Sequence, residues 1–389
     1  MKRPACFVVM KLSLAICLRS QNREQRFPTR FLLWGTYRYY VGYCIGSTGR
    51  ALPIPRKILI DFCEMASRAL RRALSGRSPG RSSAPPQLVH EVAPRDGLQN
   101  EPQVMGLDGK LRLMEALVRC EPYSIEVTSF VRPDRVPQLA DADELCARLA
   151  DAPWAAQARE RGMRFAGLVP NMRGVERCLA ARAALDTVSV ITSATDGHSL
   201  ANVGMTVVDA VRESSKVVQA AKAEGMAVRG YVSMAFGCPI TPGGATDPAV
   251  VLDIVAAYAD SGADVIVLAD TIGHAVPKQV EALCREAQAH VPPTQPLGLH
   301  MHDTRGHALE NCAVALRLGW EHFDSAVGGC GGCPFAPGAA GNLATEELLG
   351  LLDGSGEGGV EACAHGMQTA AVLEAVQVLR SELNNKAAE

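Results

Sequence analysis

The chain holds no run of 18 apolar residues, so no membrane-spanning helix is expected and no membrane partner is implied. No Gly-x-Gly-x-x-Gly follows any strand-like run, which removes the usual signal of a dinucleotide-binding open sheet. Cysteine is present 13 times, but only Cys330 and Cys333 form a Cys-x-x-Cys pair, and a zinc ribbon needs a second one. Scattered thiols of this kind fit a reducing compartment better than a disulfide framework. Net charge is small, −2 at pH 7, and no nucleic-acid partner is expected.

What is present is unevenly placed. Residues 1–86 carry 16 Lys/Arg against 3 acidic residues, a net of +13. The remaining 303 residues carry 23 basic and 38 acidic ones, a net of −15. Nine of the 19 aromatics also fall in the first 86 residues. The chain is therefore divided into a basic N-terminal extension, 1–86, and a folded domain, 87–389. The extension is expected to be disordered or non-native, and dispensable. Its start mimics a signal peptide, although Lys11 interrupts the apolar run and no clean cleavage site follows. Arg68 to Gln87 is Arg/Ser/Pro-rich and acid-poor, as in a linker or the tail of a transit peptide. A true start nearer Met65 is a third reading. Localisation is expected to be cytoplasmic, or the mitochondrial matrix if the extension is a transit peptide.

From Leu88 onward, short β-rich runs alternate with Ala/Arg-rich helical stretches such as Asp141–Arg161 and Asp209–Gly225. The runs are Leu88–Ala93, Ser124–Ser129, Arg164–Val169, Thr187–Thr192, Ala227–Met234, Val265–Ala269, Leu297–His302 and Phe323–Val327. Strand alternating with helix implies parallel βαβ units. Eight such units are the count of a (β/α)8 TIM barrel, whose functional side chains sit at the C-terminal ends of the strands. A doubly wound open sheet is the runner-up.

The polar residues follow the barrel rule. Run one empties into Arg95, Asp96 and Gln99, and run two carries Glu126. Run four is followed by Ser193 and, further on, Asn202. Run six ends in Asp270-Thr271, and run seven carries His300 and His302. Run eight leads into a glycine-rich loop with Cys330, Cys333 and Asn342. His300 and His302 are two apart, so on a strand both imidazoles point to one face and can share a divalent ion. The plain alternative is a pair of hydrogen-bonded core histidines. Asp96 is the natural anionic third ligand, and the Asn342 amide a candidate fourth. This mixed nitrogen and oxygen set suits Mg2+ or Mn2+ and tolerates Zn2+ or Co2+. Arg95 cannot lose its proton and is placed to hold a developing oxyanion, a salt bridge to Glu126, or both. Gln99, Thr271 and Asn202 are candidate substrate contacts. Glycine at the density of 328–341 allows close approach to a ligand, and a thiol there is expected to be exposed and mobile.

These residues resemble a known family. Arg95-Asp-Gly-Leu-Gln-Asn100, Ile125-Glu-Val-Thr-Ser-Phe130, Asp270-Thr-Ile-Gly273, His300-Met-His-Asp-Thr304, Gly331-Gly-Cys-Pro-Phe-Ala336 and Gly341-Asn-Leu-Ala-Thr-Glu346 are similar to 3-hydroxy-3-methylglutaryl-CoA (HMG-CoA) lyases. The likeness spans about residues 88–353. It implies Asp96, His300, His302 and Asn342 as metal ligands and Arg95 as the enolate stabiliser. It further implies Cys333 as the loop acid/base, with Glu126, Asp270 and His300 supporting the chemistry. The implied reaction is a retro-Claisen cleavage of an acyl-CoA substrate, and a homodimer is expected. The sequence departs from the family at Val267, at Arg305, and over Ser193–Asn202, where the usual lysines are missing. Another short 3-hydroxyacyl-CoA, such as citramalyl-CoA, is the alternative substrate. A Claisen-type synthase, an aldolase and a non-catalytic barrel rank below both.

Overall fold

The computed structural model describes residues 43–45, 51–53, 87–332, 341–354 and 362–384. The chain divides into two units, Met1–Gly80 and Arg81–Glu389. In the first, Tyr43–Ile45 and Ala51–Pro53 pair as short antiparallel strands. The other expectations for residues 1–86 fall outside the described residues.

The second unit is the expected barrel. Its eight strands are β1 (Leu88–Glu91), β2 (Ser124–Ser129), β3 (Arg164–Leu168), β4 (Thr187–Ser193), β5 (Ala227–Ser233), β6 (Val265–Asp270), β7 (Leu297–Met301) and β8 (His322–Ser325). They are all parallel and close in sequence order, with β8 pairing back onto β1 through His322↔Leu88 and Asp324↔His90. Each lies within two residues of the run expected for it. The stretch Asp141–Arg161 forms two helices, Ala142–Ala150 and Pro153–Glu160, because Pro153 has no N–H to continue the first.

Alternation along the strands divides the interior. Val89, Ile125, Val127, Val228, Ile266, Leu268, Leu299 and Phe323 belong to the large apolar core that also takes in the helices. Their neighbours along the strands face the lumen. There the apolar content is a small separate cluster of Tyr231, Val265 and Val267, with Ile191 against it. The lumen also holds polar groups, among them His90, Arg229, His300 and Asp324, each at most 6% exposed.

Glu91, fully buried at the end of β1, ties the barrel mouth together. Its Oε1 accepts the backbone N–H of Ala93 (2.9 Å) and Val327 (3.1 Å), and its Oε2 accepts the Thr345 hydroxyl (2.7 Å). Burial pushes its pKa up to about 7, against the pull of those donors. Between the ordinary value of 4.5 and about 7 the folded protein then binds more protons than the unfolded chain, so Glu91 lowers stability as pH rises through that window. Glu91→Gln mimics the protonated acid, donating to Thr345 Oγ1 from the amide. Denaturant titrations across the window should show the variant gaining on the wild type as pH rises, by about 3 kcal/mol at most. A difference that stays flat with pH would show that Glu91 is ionised throughout.

Candidate active site and metal centre

β1 ends in a single π turn, Ala93–Gly97. The Val92 carbonyl accepts N–H groups from Arg95 (3.2 Å), Asp96 (2.8 Å) and Gly97 (3.1 Å). Such turns recur at functional sites because they redirect side chains without ending the element. This one carries Arg95 and Asp96 at the C-terminal rim. At Gly97 a Cβ would lie 2.3 Å from Cys330 Sγ, so only glycine lets the loop after β8 close over the turn.

His300 lies on β7, and His302 just beyond it forms an isolated antiparallel bridge with Asn342. Asp303 N–H donates to the Gly341 carbonyl (3.0 Å), and Leu343 N–H to that of Met301 (2.9 Å). The Gly341–Leu343 segment is thus laid along the end of β7. A Cβ on Gly341 would stand 2.5 Å from the Gly331 carbonyl oxygen, so close backbone approach is what glycine provides here.

Three of the expected ligands converge. One ligand atom from each of Asp96, His300 and His302 lies within 4.8 Å of the others. Asp96 Oδ2 is 3.4 Å from His302 Nε2 and 3.8 Å from His300 Nε2. The Asn342 amide nitrogen donates to that same oxygen at 3.0 Å, while Asn342 Oδ1 is buried with no hydrogen-bond partner among the described residues. Two imidazole nitrogens and a carboxylate fit a divalent cation, and Asn342, which turns its amide nitrogen to Asp96, would offer its orphaned Oδ1 with the amide turned over.

Arg95 makes the salt bridge to Glu126 offered for it, and a second one to Asp96. Its Nε donates to Glu126 Oε2 at 2.5 Å and its Nη1 to Asp96 Oδ1. Burial alone would lower the Arg95 pKa, but Glu126 and Asp96 drive it up. Burial opposes ionisation of Asp96, yet Arg95 and the two histidines hold its carboxyl well below the ordinary value. The group is therefore a permanent anion facing the imidazoles. His300 is likewise shifted: burial disfavours its charge, but the hydrogen bond to Asp324 and the Asp96 charge raise its pKa.

The remaining candidates separate. Asp270 is buried, and its carboxylate accepts the backbone N–H groups of His274 (3.1 Å) and Ala275 (2.8 Å), so it shapes the turn after β6. Thr271 Oγ1 accepts the Met234 N–H at 3.0 Å and links the ends of β5 and β6. Gln99 is half-buried beyond the π turn. Asn202 is exposed on the helix Asp196–Val203 and has no hydrogen bond to the cluster among the described residues. Cys330 corrects the expectation of an exposed, mobile thiol: it is 9% exposed, packed on Gly97, and burial pushes its pKa well up. Glycine let two backbones meet, and the thiol was enclosed between them. Cys333 lies outside the described residues.

Sequence reading missed the polar lumen below the site, where Asp324 Oδ2 meets His300 Nδ1 at 3.1 Å and Oδ1 accepts from Arg229 at 2.6 Å. The available signal was a charged side chain in the middle of a buried parallel strand, as in Val228-Arg229-Gly230, where near-continuous apolar sequence is the rule.

Residues 87–379 match the HMGL-like family over most of the chain. The chain belongs to this family. An (R)-citramalyl-CoA lyase of Chloroflexus aurantiacus is 41% identical over 270 residues, covering 69% of this chain and 84% of that protein. The mitochondrial hydroxymethylglutaryl-CoA lyase of Mus musculus is 38% identical over 316 residues, covering 81% of this chain and 91% of its own. Among solved structures, an HMG-CoA lyase of Acinetobacter baumannii in complex with coenzyme A and 3-methylmalate superposes with a TM-score of 0.69 at 32% identity, covering 80% of this chain and 95% of that one. The solved relative shares the fold, and the family agrees with the resemblance drawn from the motifs.

Proposed function

We propose that the chain is a carbon–carbon lyase that cleaves 3-hydroxy-3-methylglutaryl-CoA to acetyl-CoA and acetoacetate. The observation that carries this reading is the convergence of Asp96, His300 and His302 beside a buried Arg95 at the mouth of a barrel of this family. A divalent ion, Mg2+ or Mn2+, held by Asp96, His300, His302 and Asn342 would supply Lewis-acid polarisation of the substrate's tertiary hydroxyl.

The chain's own groups account for the rest. Water at the site takes the hydroxyl proton, because His300 has Nδ1 committed to Asp324 and Nε2 to the ion, so its part is to hold and orient. The electrons of the O–H bond form the ketone, the C–C bond breaks, and its pair passes to the thioester as an enolate. Arg95 spends Nε and one Nη1 hydrogen on Glu126 and Asp96, and its outer edge stays available for the enolate oxygen. Being clamped on two sides, it needs no reorganisation as charge develops. Cys333 gives its proton to the enolate carbon, and the proton released from the hydroxyl returns to the thiolate through solvent. Asp270 and Thr271 hold the turn and strand ends around the substrate, with Gln99 and Asn202 as outer contacts. The same reading includes an acyl-CoA partner, a homodimer, a catalytic domain of 87–389 and a cytoplasmic or mitochondrial setting.

(R)-Citramalyl-CoA is the second reading, favoured by the 41% identical relative. Both substrates release acetyl-CoA, but one leaves acetoacetate and the other pyruvate. Incubating the metal-loaded chain with each thioester and assaying the keto acid decides between them. We expect turnover of the hydroxymethylglutaryl thioester to exceed that of the citramalyl one. Pyruvate as the dominant product would reverse the order, and no acetyl-CoA from either would remove the lyase assignment.

A further inference from the structure

The polar lumen contains a chain of buried side chains that the reaction itself does not use. At its centre Arg229, on β5, donates from Nη2 to Asp324 Oδ1 (2.6 Å), from Nη1 to His90 Nε2 (2.6 Å) and from Nε to the Tyr231 hydroxyl (3.1 Å). His90 Nδ1 meets Ser124 Oγ at 2.5 Å, and His322 Nδ1 lies 3.0 Å from His90 Nε2. Arg229, Asp324, His90 and Ser124 are each at most 4% exposed.

The donor inventory fixes the protons along this chain. A guanidinium only donates, so His90 Nε2 must accept. His90 therefore carries its proton on Nδ1 and donates it to Ser124, while His322 Nδ1 is a second donor to the same lone pair. Asp324 is paired with a buried cation and only accepts. Its second oxygen, 3.1 Å from His300 Nδ1, then requires the His300 proton to sit on Nδ1. That leaves the Nε2 lone pair of His300 directed at the side where Asp96 Oδ2 stands 3.8 Å away. His302 lacks such support: its Nδ1 is buried with no hydrogen-bond partner among the described residues. One of the two imidazoles is thus held from below and the other is not.

We infer that Asp324, clamped by Arg229 and through it by His90, is a positioning residue that fixes the tautomer and ring angle of His300 and so presents Nε2 at the site. The inference deepens the proposed function, and it rests on the reading of Asp96, His300 and His302 as metal ligands. Partners of this kind orient a ligating imidazole and raise its basicity, and their loss typically weakens metal binding 10–100-fold. The arrangement also explains why a costly buried ion pair is kept in the lumen, where an apolar pair of similar volume would cost less to bury.

Two variants of the full chain test the assignment. Asp324→Asn removes the anionic acceptor and leaves the volume unchanged. Arg229→Met/Asp324→Leu removes both charges together, so no unpaired buried charge threatens the fold. Mn2+ affinity is read from the electron paramagnetic resonance signal of the free ion. The protonation of each ring nitrogen is read from 15N shifts of labelled histidine, at a pH where His300 is neutral. We expect Mn2+ to bind 10–100-fold more weakly to both variants, with kcat of Asp324→Asn restored in large part by saturating Mn2+. In the wild type His300 should be the Nδ1–H tautomer, and in Asp324→Asn a mixture. Mn2+ affinity within twofold of the wild type in both variants would overturn the inference, as would an Nε2–H tautomer in the wild type. Should the wild type itself bind no divalent ion, the metal reading fails on its own, and the ring-nitrogen shifts still decide whether Asp324 sets His300.

Discussion

Replacing Arg95 with methionine should lower kcat by on the order of 10²–10³, the usual cost of removing a donor aimed at a developing oxyanion. Arg95 is buried between Glu126 and Asp96, so the loss has two components that must be separated. The first is the missing charge at the enolate oxygen. The second is the unpaired Glu126 carboxylate, one of whose oxygens is already without a partner among the described residues. Arg95→Lys restores the charge but not the planar fork, and should recover only part of the rate. Metal affinity is the control. Arg95 competes with a cation for Asp96, so its removal should leave Mn2+ binding equal or tighter. A variant that keeps kcat and loses only KM would place Arg95 in substrate capture. A variant that loses the metal would make it a structural support of Asp96.

Cys333→Ser should cost on the order of 10²–10⁴ in kcat, the range for loss of a general acid or base. Its natural comparison is Cys330, three residues earlier in the same glycine-rich loop. Cys330 is enclosed against Gly97 with a pKa held high by burial, which is the environment of an inert thiol. Cys330→Ala should therefore change stability, by about 1 kcal/mol for the small cavity, and leave kcat within a few-fold of the wild type. Metal content should survive both changes. Rates are measured with whichever thioester the substrate comparison selects. Equal losses in the two variants would indicate a redox or structural pair, and a fully active Cys333→Ser would leave water as the proton carrier.

The barrel was legible because its strands are buried on both faces. Such strands appear in sequence as short apolar runs, and the amphipathic helices between them supply the rhythm. The rim residues were legible for a related reason. Arg95, Asp96, His300 and His302 follow or end those runs, where the chain leaves the sheet and side chains are released from packing. What stayed hidden is non-local. His90 and Arg229 are 139 positions apart and Asp324 a further 95, so nothing along the chain marks them as one network. Asp270 shows the opposite limit. Its place at the end of a strand was read correctly to within one residue, but its carboxylate is committed to two backbone amides, a detail that only the turn geometry contains. Cys330 shows a third. Composition predicted a loose loop, while the tight approach of Gly97, Gly331 and Gly341 makes it a closed one at that point.

The separation between the outer apolar core and the polar lumen determines how damage to this protein would be felt. Cohesion lives in the layer between strands and helices, where residues such as Val89, Ile125, Leu268 and Phe323 are packed. Chemistry lives on the other face of the same strands, one residue away. Neighbouring positions on a strand therefore belong to different failure classes. A change at Leu299 acts on the packing of the core, whereas a change at His300 acts on the cluster with Asp96 and His302.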